Sequence, residues 1–338
     1  MNGSSPSGHD DGGSPGSTAE WAAWKALASD ISKRAASQLS VGLNEVFGSR
    51  ANGRFGILMY HRIVARVTGF SPPSYNVQPE HFSEQLTGLL ERQFQVWPLS
   101  RVVAAAQRGE ALPSRVVVLT FDDAYGSVYT QAWPVLKRLA LPATLFLATA
   151  YLDSEEPFPF DPWGLAHRGR VSVETYRPLR TAECREMAQS GLIEIGSHTH
   201  THRDFRGRPA SFRADLSRSL ETLRDRFAVE NPTFCFPWGG IREGFASDDL
   251  AAAARAAGVT CALTAEPEVV THFDSPFQWG RLSVSDWDTG ATLAAKLGGW
   301  YSWAPVARRA MARLAALRGK PQGPVGVPEN DLIQELPS

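Results

Sequence analysis

The sequence predicts an α/β fold: a (β/α) barrel of about seven parallel strands, flanked by N- and C-terminal helices. Three observations lead to it. Between Arg54 and about residue 290, short apolar runs alternate with helix-length stretches. The runs are nearly continuous in their apolar character, as in strands covered on both faces of a parallel sheet. Their number suits a closed barrel better than an open two-domain sheet.

Residues 1–17 are dominated by Gly, Ser, Pro and Asp and predict a disordered tail without the apolar stretch of a secretory signal. A helix and linker follow over residues 18–53. Trp21, Trp24, Leu27, Ile31 and Leu39 share one face, and Ser17 with Glu20 supplies a capping pattern. That face suits docking on the main domain or, with Lys25, Lys33 and Arg34 elsewhere on the helix, a membrane surface. The barrel is expected over residues 54–290. Its strand-like runs are Gly56–Tyr60, Val116–Phe121, Ala143–Ala148, Leu192–Ile195, Thr233–Phe236, Thr260–Thr264 and Arg281–Val284. Helix-like stretches are His81–Arg92, Tyr125–Leu139, Pro209–Phe227 and Asp248–Ala257. The aperiodic stretch Tyr151–Arg180 is long for a loop and holds Phe158, Phe160, Asp161, Trp163 and His167. Its aromatics either stack on a sugar or cover a core edge. C-terminal helices rich in Ala and Arg are expected over residues 291–318, and a flexible tail over 319–338.

Composition narrows the chemistry. The net charge is −1 and no basic block occurs, so nucleic acid is not an expected partner. Cys184, Cys235 and Cys261 are far apart with no CxxC spacing, which argues against a disulfide framework and a thiolate metal site. No run reaches the about 18 apolar residues of a membrane span.

The chemistry concentrates where apolar runs end. One ends in Asp122-Asp123, another in His198-Thr199-His200-Thr201-His202. His198 and His202 are four apart and can converge on one ion in a strand or a helix. His200 joins them only in an extended run, and is otherwise a bystander. Two carboxylates after a buried strand are costly unless ions or donors satisfy them. One carboxylate with two histidines makes a three-ligand catalytic metal set, and the other can take a proton from water. The ordinary alternative is a helix cap at Asp123.

At these residues the chain resembles the polysaccharide deacetylases of carbohydrate esterase family 4, the nodulation-factor deacetylase group. Thr120-Phe121-Asp122-Asp123, Ser197-His198 to His202 and Phe236-Pro237-Trp238-Gly239 carry the resemblance, which spans roughly Arg54 to Asp288. It implies a distorted (β/α) barrel and metal-dependent hydrolysis of N-acetyl groups on amino sugars. By position, Asp122 is then the base, Asp123, His198 and His202 the ligands, and the Trp238 backbone N–H a donor to the oxyanion. Zn suits the ligand set, with Co, Ni or Mn also compatible.

The chain departs from the family in three places. Ala124 stands where most members have Gly, which is mildly strained if the position needs φ > 0. Cys235 stands where an Arg usually orients the base, and Arg281 is the candidate replacement. The late Leu-x-His motif is missing, yet an amide leaving group needs a proton. His61, after Ile57-Leu58-Met59-Tyr60, is the candidate acid, with Asp286 or Asp288 to orient it. A Met-Tyr-His at the first strand is similar to the permuted exopolysaccharide and intercellular-adhesin branch. The expected partner is a polysaccharide or lipid-linked glycan with N-acetylated amino sugars. Cytoplasmic or peripheral placement at the inner membrane face is expected. An amidase, an O-acetyl esterase and a catalytically inactive glycan-binding homologue remain as other readings of the same motifs.

Overall fold

The computed structural model describes residues 34–49, 51 and 53–300. The expected tails, Trp21 to Ile31 of the N-terminal helix, and the C-terminal helices past residue 300 lie outside the described residues.

Seven parallel strands form the centre: β1 (Arg54–Tyr60), β2 (Val116–Phe121), β3 (Ala143–Leu147), β4 (Ile193–Ser197), β5 (Phe234–Cys235), β6 (Ala262–Leu263) and β7 (Leu282–Ser283). Each pairs with the next from β1 to β6, as in Leu58↔Leu119, Leu145↔Ile195 and Cys235↔Leu263. β7 returns beside β1 through Leu58↔Leu282, and a single bridge, Leu263↔Trp279, links its approach to β6. The sheet therefore closes on itself, with its weakest seam between β6 and β7. Two short strands extend it, Gln95–Val96 beside β2 and the antiparallel Val270–Thr271 beside β1.

Strand alternation divides the apolar residues into two layers. Leu58, Val117, Leu119, Leu145, Ile195 and Leu282 belong to the large cluster under the helices. Phe55, Ile57, Val116, Val118, Phe146, Cys235 and Trp279 form the second cluster, which fills the barrel. A Cβ on Gly196 would lie 2.7 Å from the Phe146 ring, so β4 needs glycine there for the barrel filling to fit.

Helix Pro209–Phe227 starts and ends where expected, and Asp248–Ala256 one residue short. The first barrel helix is Pro79–Glu91 rather than His81–Arg92, because Pro79 takes the first-turn position after an extended Gln78. The stretch Tyr125–Leu139 is not one helix. Tyr125 bridges Pro178 and Gly126 N–H donates to Arg177 O at 2.8 Å, so regular α-helix starts only at Trp133 after a wide turn over Val128–Ala132. Helices Leu99–Gln107 and Thr181–Gln189 were not expected; both are only nine residues long, and the second has few apolar residues.

Residues 34–47 are helical. Ser37 and Ser40 are the buried positions, and Ser40 Oγ donates to Trp300 O at 3.1 Å. Leu39, expected on a docking face, is 57% exposed and Val46 73%. Small residues face inward because the helix lies close to the backbone at Trp300. Among the described residues, no helix is long and apolar enough to cross a membrane.

Candidate active site

The alternation that fills the barrel also builds the site above it. Residues 57, 118, 196 and 235 point inward, so His61, Asp122 and His198 continue the same face past the ends of β1, β2 and β4. Arg281 precedes Leu282, an outward residue, and so also faces in. These groups meet at the C-terminal ends of the strands, around a cleft of about 290 Å³ lined by His61, Asp122, Asp123, His198, His202 and Arg281 among others.

Asp123, His198 and His202 converge. Asp123 Oδ1 lies 3.4 Å from His198 Nε2 and 3.3 Å from His202 Nε2, and all three residues are buried. His198 Nδ1 lies 2.9 Å from Cys235 O, to which it donates, leaving the Nε2 lone pair toward Asp123. Asp123 Oδ1 is buried with no hydrogen-bond partner. A buried carboxylate oxygen facing imidazole nitrogens, with no donor to satisfy it, is a set of ligands for a cation. The residues present therefore fit a divalent metal ion.

The turn that carries the histidines is neither helical nor extended. Thr199 and His202 have φ of +67° and +53°. Thr199 Oγ1 accepts from His202 N–H at 3.0 Å, and Asp215 accepts from the N–H groups of His200 and Thr201. His200 is directed away, its Nδ1 3.0 Å from Thr149 Oγ1. Asp123, Ala124 and Trp238 also have positive φ, at +69°, +72° and +58°. Ala124 thus carries the strain that glycine would avoid, about 1 kcal/mol. Left-handed non-glycine residues clustered at one site are a mark of function.

Asp122 takes a different set of partners. Its carboxylate receives Arg281 Nη1 at 2.6 Å and Nη2 at 2.8 Å, while Arg281 Nε donates to Thr264 O. Burial raises the Asp122 pKa, but the charges of Arg281 and His198 and the Arg281 hydrogen bonds together outweigh it, and the net result is about 2. The Cys235 thiol donates to Asp122 Oδ1 at 3.4 Å, and burial together with the Asp122 charge pushes its pKa well up. Asp122, His198 and Cys235 also cluster closely enough to hold an ion. However, that carboxylate is already occupied by both Arg281 Nη atoms. Of the two groups, the Asp123 group is the one whose carboxylate oxygen is left without a hydrogen-bond partner.

His61 Nε2 lies 4.0 Å from Asp122 Oδ2, and its ring stacks on Tyr75 at 4.8 Å. Burial lowers its pKa, against the opposing charges of Asp123 and Asp122. Neither Asp286 nor Asp288 orients it, contrary to expectation. Asp286 is brought by the fold against His81 Nδ1 and Gln78, and Asp288 binds Lys296 and Thr292, which are close to it in the chain. Trp238 stands at the rim, 46% exposed, with its ring 4.7 Å from that of His202. Its backbone N–H donates to no group among the described residues.

The long loop covers a core edge and also lines the cleft. Phe158 is fully buried against Tyr125 and Ala148, whereas Phe160 stacks on His202 at 3.7 Å and Trp163 lines the cleft. Tyr75 and the buried Arg62–Asp161 pair were not foreseen. Arg62 adjoins His61 in the chain, and Asp161 precedes Pro162 in the flagged loop. Neither carries a periodic signal.

A family model for polysaccharide deacetylase matches residues 109–262. The chain is 24% identical over 222 residues to a poly-beta-1,6-N-acetyl-D-glucosamine N-deacetylase of Staphylococcus aureus, covering 63% of this chain and 69% of the relative. Among solved structures, IcaB from Ammonifex degensii superposes with a TM-score of 0.58 at 22% identity, over 73% of this chain and 97% of that one. The Streptococcus pyogenes deacetylase PplD in complex with acetate gives 0.58 at 20% identity, over 72% and 98%. At these identities the solved structures speak to the fold, which is the deacetylase barrel.

Proposed function

Because a family model for polysaccharide deacetylase matches residues 109–262, we propose that this chain hydrolyses N-acetyl groups on the amino sugars of a glycan and releases acetate. The observation that carries this reading is the pair of neighbouring carboxylates with separate partners. Asp123 faces two imidazoles with an orphaned oxygen, and Asp122 is gripped by Arg281. One suits binding a cation and the other suits taking a proton.

A divalent ion, Zn for this ligand set with Co, Ni or Mn also compatible, would be held by Asp123, His198 and His202 and supplies Lewis acidity toward the acetyl carbonyl and water. Asp122 takes a proton from the water as it attacks the carbonyl carbon. Arg281 keeps Asp122 ionised and fixes its plane. The Trp238 N–H donates to the developing oxyanion, a contact whose loss typically costs about a hundred- to a thousand-fold. His61 delivers a proton to the nitrogen as the C–N bond breaks. The proton that His61 delivers is replaced in turnover by the one that Asp122 takes from water, the two side chains standing 4.0 Å apart. Acetate and a free amine leave.

The substrate class follows from the similarity to the staphylococcal enzyme and from the exposed aromatics Tyr75 and Trp238 on the cleft. A poly-N-acetylglucosamine polymer or its lipid-linked precursor fits both. Acetate release from N-acetylglucosamine oligomers, acetylxylan and small amides, each with and without chelator, tests it. Oligomers are expected to be the best substrates, with activity lost on chelation and restored by Zn. Preference for acetylxylan would instead favour an O-acetyl esterase.

The outward Leu39 and Val46 support peripheral association with a membrane surface. Cell fractionation should recover part of the protein with membranes; a wholly soluble pool would remove this element of the reading.

A further inference from the structure

We propose that Asp161, held by Arg62 behind it, forms a glycan-binding subsite in the cleft wall, where it accepts a hydrogen bond from a sugar hydroxyl near the acetamido group. This rests on the function proposed above. Asp161 sits at the N-cap position of helix Pro162–His167, where an Asp normally accepts from the helix's own first-turn amides. Its side chain makes no such cap. It turns instead onto Arg62 Nη2. Gly164 makes room for that orientation, since a Cβ there would lie 2.4 Å from Asp161 Oδ2.

The pair is incompletely satisfied. Arg62 is 1% exposed, and its Nε and Nη1 have no acceptor. Asp161 Oδ1 accepts no hydrogen bond among the described residues, and Asp161 lines the cleft beside Asp122 and Asp123. Arg62 does not itself line the cleft and its free nitrogens are buried, so the open oxygen of Asp161 is the group that a partner entering the cleft can meet.

The chemistry of that partner can be read from its surroundings. Arg62 already balances the Asp161 charge, so the carboxylate suits a neutral donor and not a cation. The Arg62 guanidinium lies 4.1 Å from the Tyr125 ring centre and 5.4 Å from that of Trp163, and both rings line the same cleft. An acceptor oxygen beside an aromatic wall fits a ring bearing hydroxyls on its edge and C–H groups on its face, which is a pyranose. The subsite would select for glycans over small amides that carry the same acetyl group.

The test is steady-state kinetics on N-acetylglucosamine oligomers with two variants. Asp161→Asn keeps an acceptor for Arg62 but loses the charge. The double variant Arg62→Met/Asp161→Leu replaces the buried pair by apolar side chains, an exchange that folds tolerate well. In both, KM is expected to rise about tenfold or more, with kcat within about twofold and metal content unchanged. An unchanged KM in an active, folded variant overturns the subsite, as does a fall in kcat at constant KM, the pattern of a loop tie alone. A wild type that releases no acetate from any oligomer overturns the function and the subsite together, which is distinct from a failure confined to the variants.

Discussion

Asp122→Asn is expected to lower acetate release by about 10³- to 10⁴-fold while the protein keeps its metal. Asn has nearly the same volume and can still accept from Arg281, but it cannot take a proton from water. The ligand atoms lie on Asp123, His198 and His202, so ion content measured on the purified variant should match wild type. Loss of metal in the variant, or activity near wild type, would falsify the division of labour between the two carboxylates.

Arg281→Met should be the most destabilising single change at the site. Arg281 is 1% exposed and is bonded to both oxygens of Asp122, itself 2% exposed. Removing one member of such a pair leaves a buried charge without compensation, at about 3–5 kcal/mol. The change also moves a pKa. With Arg281 present, Asp122 titrates at about 2, below its unfolded value near 4. Its contribution to stability is therefore present above about pH 4 and lost as the pH falls toward 2. Without Arg281, burial dominates, and the carboxyl pKa rises above the unfolded value. The variant should then become relatively more stable as acid protonates Asp122, and the acid limb of its kcat/KM profile should move to higher pH. Urea unfolding and rate profiles over the same pH series test both effects. An acid limb unchanged from wild type would mean that Arg281 does not tune the base.

Much of the architecture was legible because strand periodicity is a local signal. Runs such as Val116–Phe121 are buried on both faces and could hardly be anything else. The His198–His202 spacing was legible for a similar reason, since residues four apart can converge in several local structures. Contacts that depend on closure were not. The Arg281–Asp122 pair, which joins residues 159 apart, is the exception: Cys235 in place of the usual Arg pointed to Arg281. Asp286 and Asp288 misled because a carboxylate goes to its nearest donors, here His81 and Lys296, and sequence does not show which donors a fold brings near. Tyr125 misled because an apolar, helix-compatible stretch was pinned at its start by a distant loop.

The closing strand has a consequence for how the chain acquires its native state. Synthesis delivers β2, with its carboxylate, long before it delivers β7, with the matching cation. Until the last strand pairs with the first, a barrel assembling from its N-terminus must either keep Asp122 hydrated or bury it as a neutral acid. The ion pair thus rewards only complete closure and penalises the six-stranded intermediate. It also means that an open barrel, which would expose strand edges, has no ready-made proton acceptor fixed in place.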